Sequence, residues 1–173
     1  NISYDVNGNV ASRTDFSGNK TCYAYDLTRN LEIGRIEGLS SSSNCPGDIP
    51  SYIPTANSSE RKTLTTWHAN FRIPTSITEA GRETNFVYDT HGNVTQHQIK
   101  DTATNATRTW TTSYVYHATI PGIILQKTEN GPRTDVSDIT TTQYYLPDAA
   151  CAGGHKGCRA QVASITNALG HVT

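Results

Sequence analysis

The sequence predicts an all-β chain of repeated antiparallel hairpins, and three observations carry that reading. Thr, Tyr, Asn, Gly and Ser are abundant and Met is absent; Thr and Tyr favour strands, whereas Asn and Gly favour turns. Few stretches offer an apolar stripe of period 3.6. One seven-residue word also occurs twice, as Tyr4-Asp5-Val6-Asn7-Gly8-Asn9-Val10 and as Tyr88-Asp89-Thr90-His91-Gly92-Asn93-Val94. It reads aromatic, Asp, two free positions, Gly, Asn, apolar.

The word is a turn between two strands. The Asp carboxylate is expected to accept a backbone N–H two residues on, and the Gly supplies a positive φ. The first turn, over Tyr4, Asp5 and Gly8, leads into a strand at Asn9–Thr14. A second turn around Gly18 leads into Thr21-Cys22-Tyr23-Ala24-Tyr25-Asp26. With a side-chain period of two, Thr21, Tyr23 and Tyr25 take one face of this strand and Cys22 and Ala24 the other. Gly81 to Asp89 repeats Gly18 to Asp26 position for position, as G-x-x-T-x-aromatic-x-Y-D. That places Thr84, Phe86 and Tyr88 on one face, with Asn93–Gln98 as the next strand. A third copy, Thr112, Tyr114 and Tyr116, ends in His117 instead of Asp. Gly170-His171-Val172-Thr173 begins the word once more.

Tyr4 and Tyr25 are 21 residues apart, within the range that signals a repeat architecture. Four or five hairpins are expected over residues 1–173, pairing edge to edge, with a repeat cut at each end. Residues 38–59 are Ser-, Pro- and Asn-rich without a period and read as a surface loop insertion. Residues 147–158 read as a second, Cys-containing hairpin loop.

The composition excludes several functions. A net charge of -1 gives no footprint for nucleic acid or an acidic membrane surface. The hydrophobic share is 35% and mean hydropathy is -0.53, with no apolar run long enough for a spanning helix. No secretory leader is recognisable at Asn1, so the chain reads as an internal piece of a longer protein.

The words Tyr4-Asp5-x-x-Gly8-Asn9, Gly18-x-x-Thr21-x-Tyr23-x-Tyr25-Asp26 and Tyr88-Asp89-x-x-Gly92-Asn93 resemble the Rhs family, whose units are called YD repeats. Trp67-His68 through Arg72-Ile73-Pro74, Glu79-Ala80-Gly81-Arg82, and Gly131-Pro132-Arg133-Thr134-Asp135 with Asp138-Ile139-Thr140 add to the resemblance, which spans nearly the whole chain. It implies a long spiralling antiparallel sheet that closes into a hollow shell around a C-terminal toxin domain or an unfolded cargo. Related insecticidal toxin subunits share such a shell, and teneurins use a similar one in cell adhesion. The implied role is a non-catalytic section of shell wall in a secreted or bacterial cell-surface protein. Its partners would be the flanking repeats and the enclosed C-terminal domain of the same parent. Two positions depart from the pattern: Arg29 stands where the turn Gly belongs, and His117 where Asp belongs. The core-associated segment that precedes the toxin in many Rhs proteins is not recognisable.

The chemistry-bearing residues divide between bland and specific readings. Asp5, Asp26 and Asp89 recur in identical turns, so they serve the repeat rather than catalysis. Four cysteines suggest two disulfides, Cys22–Cys45 and Cys151–Cys158. The Gly-rich loop makes the second pair easy to close, while the first requires the long loop to fold back. Cys151, His155 and Cys158 could offer three zinc ligands, but Gly-rich flanks lack a rigid knuckle; no metal or other cofactor is expected. His68 reads as a packed or solvent-edge residue in a strand beside Trp67. Ser41, Ser42 and Ser43 lack a nucleophile's setting, and the sequons at Asn19, Asn57, Asn93 and Asn105 are expected by chance. Tyr23, Tyr25, Phe86, Tyr88, Tyr114 and Tyr116 fit a cross-strand ladder better than a sugar platform, because they recur with the repeat. Trp67, Trp110 and Tyr52 lie outside the repeated positions and are candidate contacts for a glycan or a cell-surface receptor, the alternative to a shell wall.

Overall fold

A computed structural model describes residues 1–147, 158 and 160–173. The described residues form twelve strands: β1 Ile2–Tyr4, β2 Val10–Thr14, β3 Asn19–Asp26, β4 Leu31–Ser40, β5 Arg61–Trp67, β6 Pro74–Glu79, β7 Arg82–Tyr88, β8 Val94–Asp101, β9 Thr107–Tyr116, β10 Ile124–Asn130, β11 Ile139–Tyr144 and β12 Val162–Thr166. They lie in one antiparallel sheet in chain order, β1 through β12. The all-β expectation holds, with more hairpins than the four or five that the words marked.

The contacts divide the chain into two compact units. One comprises Asn1–Asn85 with Ile99–Ala106, the other Phe86–Gln98 with Thr107–Thr173. In the first unit, Ser12 pairs with Cys22, Cys22 with Ile36 and Ile36 with Lys62. Directly opposed residues share a face, so one face carries Cys22, Ala24, Gly34, Ile36, Lys62 and Leu64. The other carries Tyr23, Tyr25, Arg35, Thr63, Thr65 and Trp67. The alternation expected along β3 is the observed one.

Residues 41–60 fold back over the first of these faces. Cys22, Ile36, Leu39 and Ile49 form the buried cluster, with Ala24, Tyr52 and Leu64 packed against it. A stretch that reads as a surface spacer thus supplies Ile49, only 3% exposed, to the core. The Cys22–Cys45 disulfide holds it there, with Cα atoms 5.6 Å apart. Lys62 Nζ donates to the carbonyls of Pro50 (2.9 Å) and Tyr52 (2.7 Å), and Lys20 Nζ donates to Ser43 O. Gly38 makes the return possible. Its φ is +79°, and a Cβ there would sit 2.3 Å from Ser59 O, so only Gly fits.

In the second unit, Tyr114 pairs with Lys127, Lys127 with Thr142 and Thr142 with Ile165. The expected second disulfide falls partly outside the description: Cys158 is disulfide-bonded, while Cys151, His155 and most of loop 147–158 lie outside the described residues.

Candidate functional site

The repeated feature is a capped turn. At Asp5, the carboxylate Oδ1 accepts from Asn7 N (2.9 Å) and Asn9 N (2.8 Å), and Oδ2 from Asn9 Nδ2 (2.9 Å). Asp5 N donates to Asn9 O, Gly8 N donates to Asp5 O, and Gly8 takes φ +82°. The Asn9 amide, acting with backbone N–H groups, holds the Asp5 carboxyl below its ordinary range. At Asp89, Oδ1 accepts from His91 N (2.8 Å) and Asn93 N (2.9 Å).

The same turn occurs at two places where the word is disguised. Asp15 caps Ser17 N and Asn19 N, both at 2.9 Å, and Asn167 caps Leu169 N and His171 N, both at 3.0 Å. Neither follows a Tyr, so a search led by the Tyr-Asp pair passes over them, although D-x-x-G-N stands at 15–19.

Both departures from the word have physical explanations. With Arg29 in the Gly position, the left-handed residue becomes Asn30, at φ 50°. Asp26 still caps Thr28 N at 2.9 Å. The Arg29 guanidinium donates to His68 O (2.8 Å) and Phe71 O (2.9 Å), while Arg72 donates back to Arg29 O (2.8 Å) and Asn30 O (3.2 Å). These paired arginines clasp the β3–β4 turn to the β5–β6 connection. Asn7 Nδ2 links the first turn to the same place through Leu27 O (2.9 Å).

His117 replaces Asp by function: its Nδ1 accepts from Thr119 N (3.2 Å) and Ile120 N (3.1 Å). His68 does likewise for Asn70 N (3.1 Å) and Phe71 N (3.2 Å). The placement of His68 in a strand is therefore corrected: it stands just beyond β5, its ring packs on Phe71 with centroids 4.9 Å apart, and its Nδ1 caps the connection to β6.

The repeated aromatics neighbour one another along their own strands, and the rings that meet across strands do so through His97 and His91. Tyr23 and Tyr25 have ring centroids 6.4 Å apart, Phe86 and Tyr88 6.3 Å, and Tyr114 and Tyr116 6.0 Å. In the second unit, His97 lies between Phe86 and Trp110, with centroids 5.0 Å from each. Trp110 therefore belongs to this cross-strand stack: it precedes Tyr114 by two alternations on the same face of β9. Tyr116 joins the aromatics to the turn. Its hydroxyl donates to Asp89 Oδ2, accepts from Asn93 Nδ2 at 2.8 Å, and its ring stacks on His91 at 4.3 Å. Burial and then the Asp89 hydrogen bond push the Tyr116 hydroxyl up to about 12. Burial opposes ionisation of Asp89, but the Tyr116 hydroxyl and the His91 and Asn93 N–H groups outweigh it and leave the carboxyl lowered.

A second pattern escaped the words. Tyr23, Arg35 and Thr63 lie opposite one another across β3, β4 and β5; Tyr114, Lys127 and Thr142 do so across β9, β10 and β11. Each cation pairs with the Glu two residues on, Arg35 with Glu37 at 3.5 Å and Lys127 with Glu129 at 2.8 Å. Each Thr is buried, at 7% and 8% exposure. The cation-x-Glu spacing was available to find it.

Of the other glycan candidates, Tyr52 packs on the core and donates its hydroxyl to Glu60 at 2.8 Å. Trp67 Nε1 donates to Glu32 O at 2.7 Å. Its ring lines an open groove of about 400 Å³ with Asn30, Glu32, Arg35, Thr65 and Ile77. Among the described residues, no cluster of His, Cys, Asp and Glu could hold a metal ion, and no helix is long and apolar enough to cross a membrane.

No family model matches this sequence, and no curated protein matches it. A solved structure does: that of the Photorhabdus luminescens Tc holotoxin pore, in a form carrying a mutation in TccC3. It aligns with 95% of this chain at a TM-score of 0.54 and 12% identity, and this chain spans 10% of that one. The likeness is one of fold: the chain has the β-architecture of a stretch of that toxin.

Proposed function

We propose that the chain is a YD-repeat segment of the Rhs kind, a non-catalytic section of shell wall in a secreted or cell-surface protein. It would act with flanking repeats of the same parent to enclose or display a toxin or effector domain. One observation carries the reading: each strand pairs antiparallel with its neighbours in the chain under recurring capped turns, which makes a quasi-one-dimensional array that lengthens by adding hairpins. Among the described residues, the turn carboxylates Asp5, Asp15, Asp26 and Asp89 cap backbone N–H groups, which favours structure over catalysis. The likeness to a stretch of a Tc toxin supports the reading, as does a disulfide suited to an oxidising space.

The test uses the parent protein with a protease site inserted at Thr134, in the β10–β11 connection. The reading predicts that the domain following the repeats resists protease until this site is cut. Equal digestion before and after the cut would overturn it.

A second reading, glycan or receptor binding, is favoured by the groove beside Trp67, where an indole ring adjoins the Glu32–Arg35 pair. Selective binding on a glycan array that Trp67→Ala abolishes and Trp110→Ala retains would support it. No binding above background would dispose of it.

A further inference from the structure

We infer that the Cys22–Cys45 disulfide is a reducible latch that keeps segment 41–60 closed over the apolar face of β3, β4 and β5. This inference stands independently of the shell-wall reading.

The segment is a cover with few anchors. Its backbone hydrogen bonds are local turns, Ser43 N to Ser40 O, Tyr52 N to Ile49 O and Ser58 N to Thr55 O. It is tied to the strands by two lysine side chains, by Ser59 Oγ on Gly38 O at 2.9 Å, by the buried Ile49, by Tyr52 packed on the cluster and by the disulfide. Lys62 holds its middle, at Pro50 and Tyr52; Lys20 and the disulfide hold its first turn, at Ser43 and Cys45. Beneath it lie Cys22 and Ile36, both 0% exposed. The strands themselves are hydrogen-bonded to one another independently of the cover. Release therefore uncovers the cluster while the β-ladder persists.

The two sulfurs sit differently. Cys22 is in the cluster, whereas Cys45 is an exposed residue, so a thiolate from solvent reaches Cys45 Sγ. With a dithiol reductant, the first thiolate attacks Cys45 Sγ. A mixed disulfide forms, the Cys22–Cys45 bond breaks, and Cys22 leaves as a thiolate that takes a proton. The second thiol of the reductant loses its proton and displaces Cys45, which is protonated in turn. The protein disulfide gains two electrons, and the reductant ends as its own disulfide. The cysteines are 23 residues apart in sequence, but β3 and β4 stay paired up to Ser40 in the open form, so the bond closes only the short stretch from Ser40 to Cys45; in the loop-entropy account losing such a closure raises the open population roughly thirty-fold.

Chymotryptic cleavage after Tyr52 reads the opening, because that ring belongs to the segment and packs against the cluster when it is closed. When opening is fast relative to cleavage, the rate tracks the open population. The whole chain is compared oxidised, in dithiothreitol, and as Cys45→Ser. The expected result is at least about ten-fold faster cleavage at Tyr52 in both open forms, with Tyr23 and Tyr25 in β3 still resistant. Three results would overturn the latch. One is a rate within about threefold of the oxidised chain. Another is loss of resistance at Tyr23 and Tyr25 as well, which makes the bond a staple for the whole unit. The third is release by dithiothreitol but not by Cys45→Ser, which assigns it to the disulfide of Cys158.

Discussion

Replacing Ile49 with Ala tests whether the 41–60 insertion is core or covering. Ile49 is 3% exposed and sits in the cluster with Cys22, Ile36 and Leu39. Its Cγ2 lies 3.1 Å from where a Cβ on Gly34 would stand, so the side chain fills space that the glycine leaves open. Truncating a buried Ile to Ala costs about 2–5 kcal/mol, and the range reflects how far the site can collapse. The strands below are held by their ladder, while the segment above is anchored at few points and can settle. The lower part of the range therefore applies, about 2–3 kcal/mol. In a chain of 173 residues, each kcal/mol moves Tm by roughly 2–4 °C, so the variant should melt roughly 4–12 °C lower. Urea unfolding gives the free energy directly, with Ile53→Ala as the control. Ile53 is in the same segment but 84% exposed, and its loss should stay within about 0.5 kcal/mol. Equal and small effects for both variants would refute the claim that this segment supplies core.

Further consequences concern the turns and the open edges. Gly38→Ala should cost more than Gly8→Ala in urea unfolding: both have positive φ, but only Gly38 faces a backbone oxygen at 2.3 Å. Equal costs would mean that the Ser59 approach relaxes freely. Asp89→Asn and Tyr116→Phe should be coupled by about 1 kcal/mol in a double-mutant cycle, and additivity would remove the hydrogen bond from the account. Tyr116 is raised to about 12 against an ordinary 10.0, so its contribution is present below pH 10 and is lost as pH climbs toward 12. A phenolate titration of Tyr116 centred near 10 would contradict this. Asp5, Asp15 and Asp89 are lowered from 3.8. Their contribution is present above that value and is lost as pH falls through the depressed ones. An acid transition centred above pH 5 would assign acid unfolding to other groups. Strand β1 begins the sheet order, while β12 is already paired in part with Val172 and Thr173; the edges left by β1 and by those end residues favour association. A strict monomer at high concentration in sedimentation would show that the edges are covered.

The sequence disclosed what is local. The alternation of Tyr23 and Tyr25 against Cys22 and Ala24, and the turns at Asp5 and Asp89, depend on neighbours within a few residues. Asp15 and Asn167 are equally local, but no Tyr precedes either, so the Tyr-Asp pair does not mark them. Trp110 shares the parity of Tyr114 but lies outside the repeated word, which starts at Thr112. The remaining features depend on distant partners. Arg29 breaks the turn word for carbonyls 39 and 42 residues away, and nothing near Arg29 announces them. Ile49 lacks periodic apolar neighbours, so its burial follows only once Cys45 is carried back to Cys22. His68 and His117 resemble strand-end residues until the N–H groups that they cap are in view.

The most direct test of the wall reading is a cryo-electron microscopy map of the parent protein. The account predicts β1, and the strand that Val172 and Thr173 start beside β12, paired to strands of flanking repeats, in a wall with polypeptide density on its inner side. A map showing these strands as free edges, with solvent on both faces of the sheet, would contradict it.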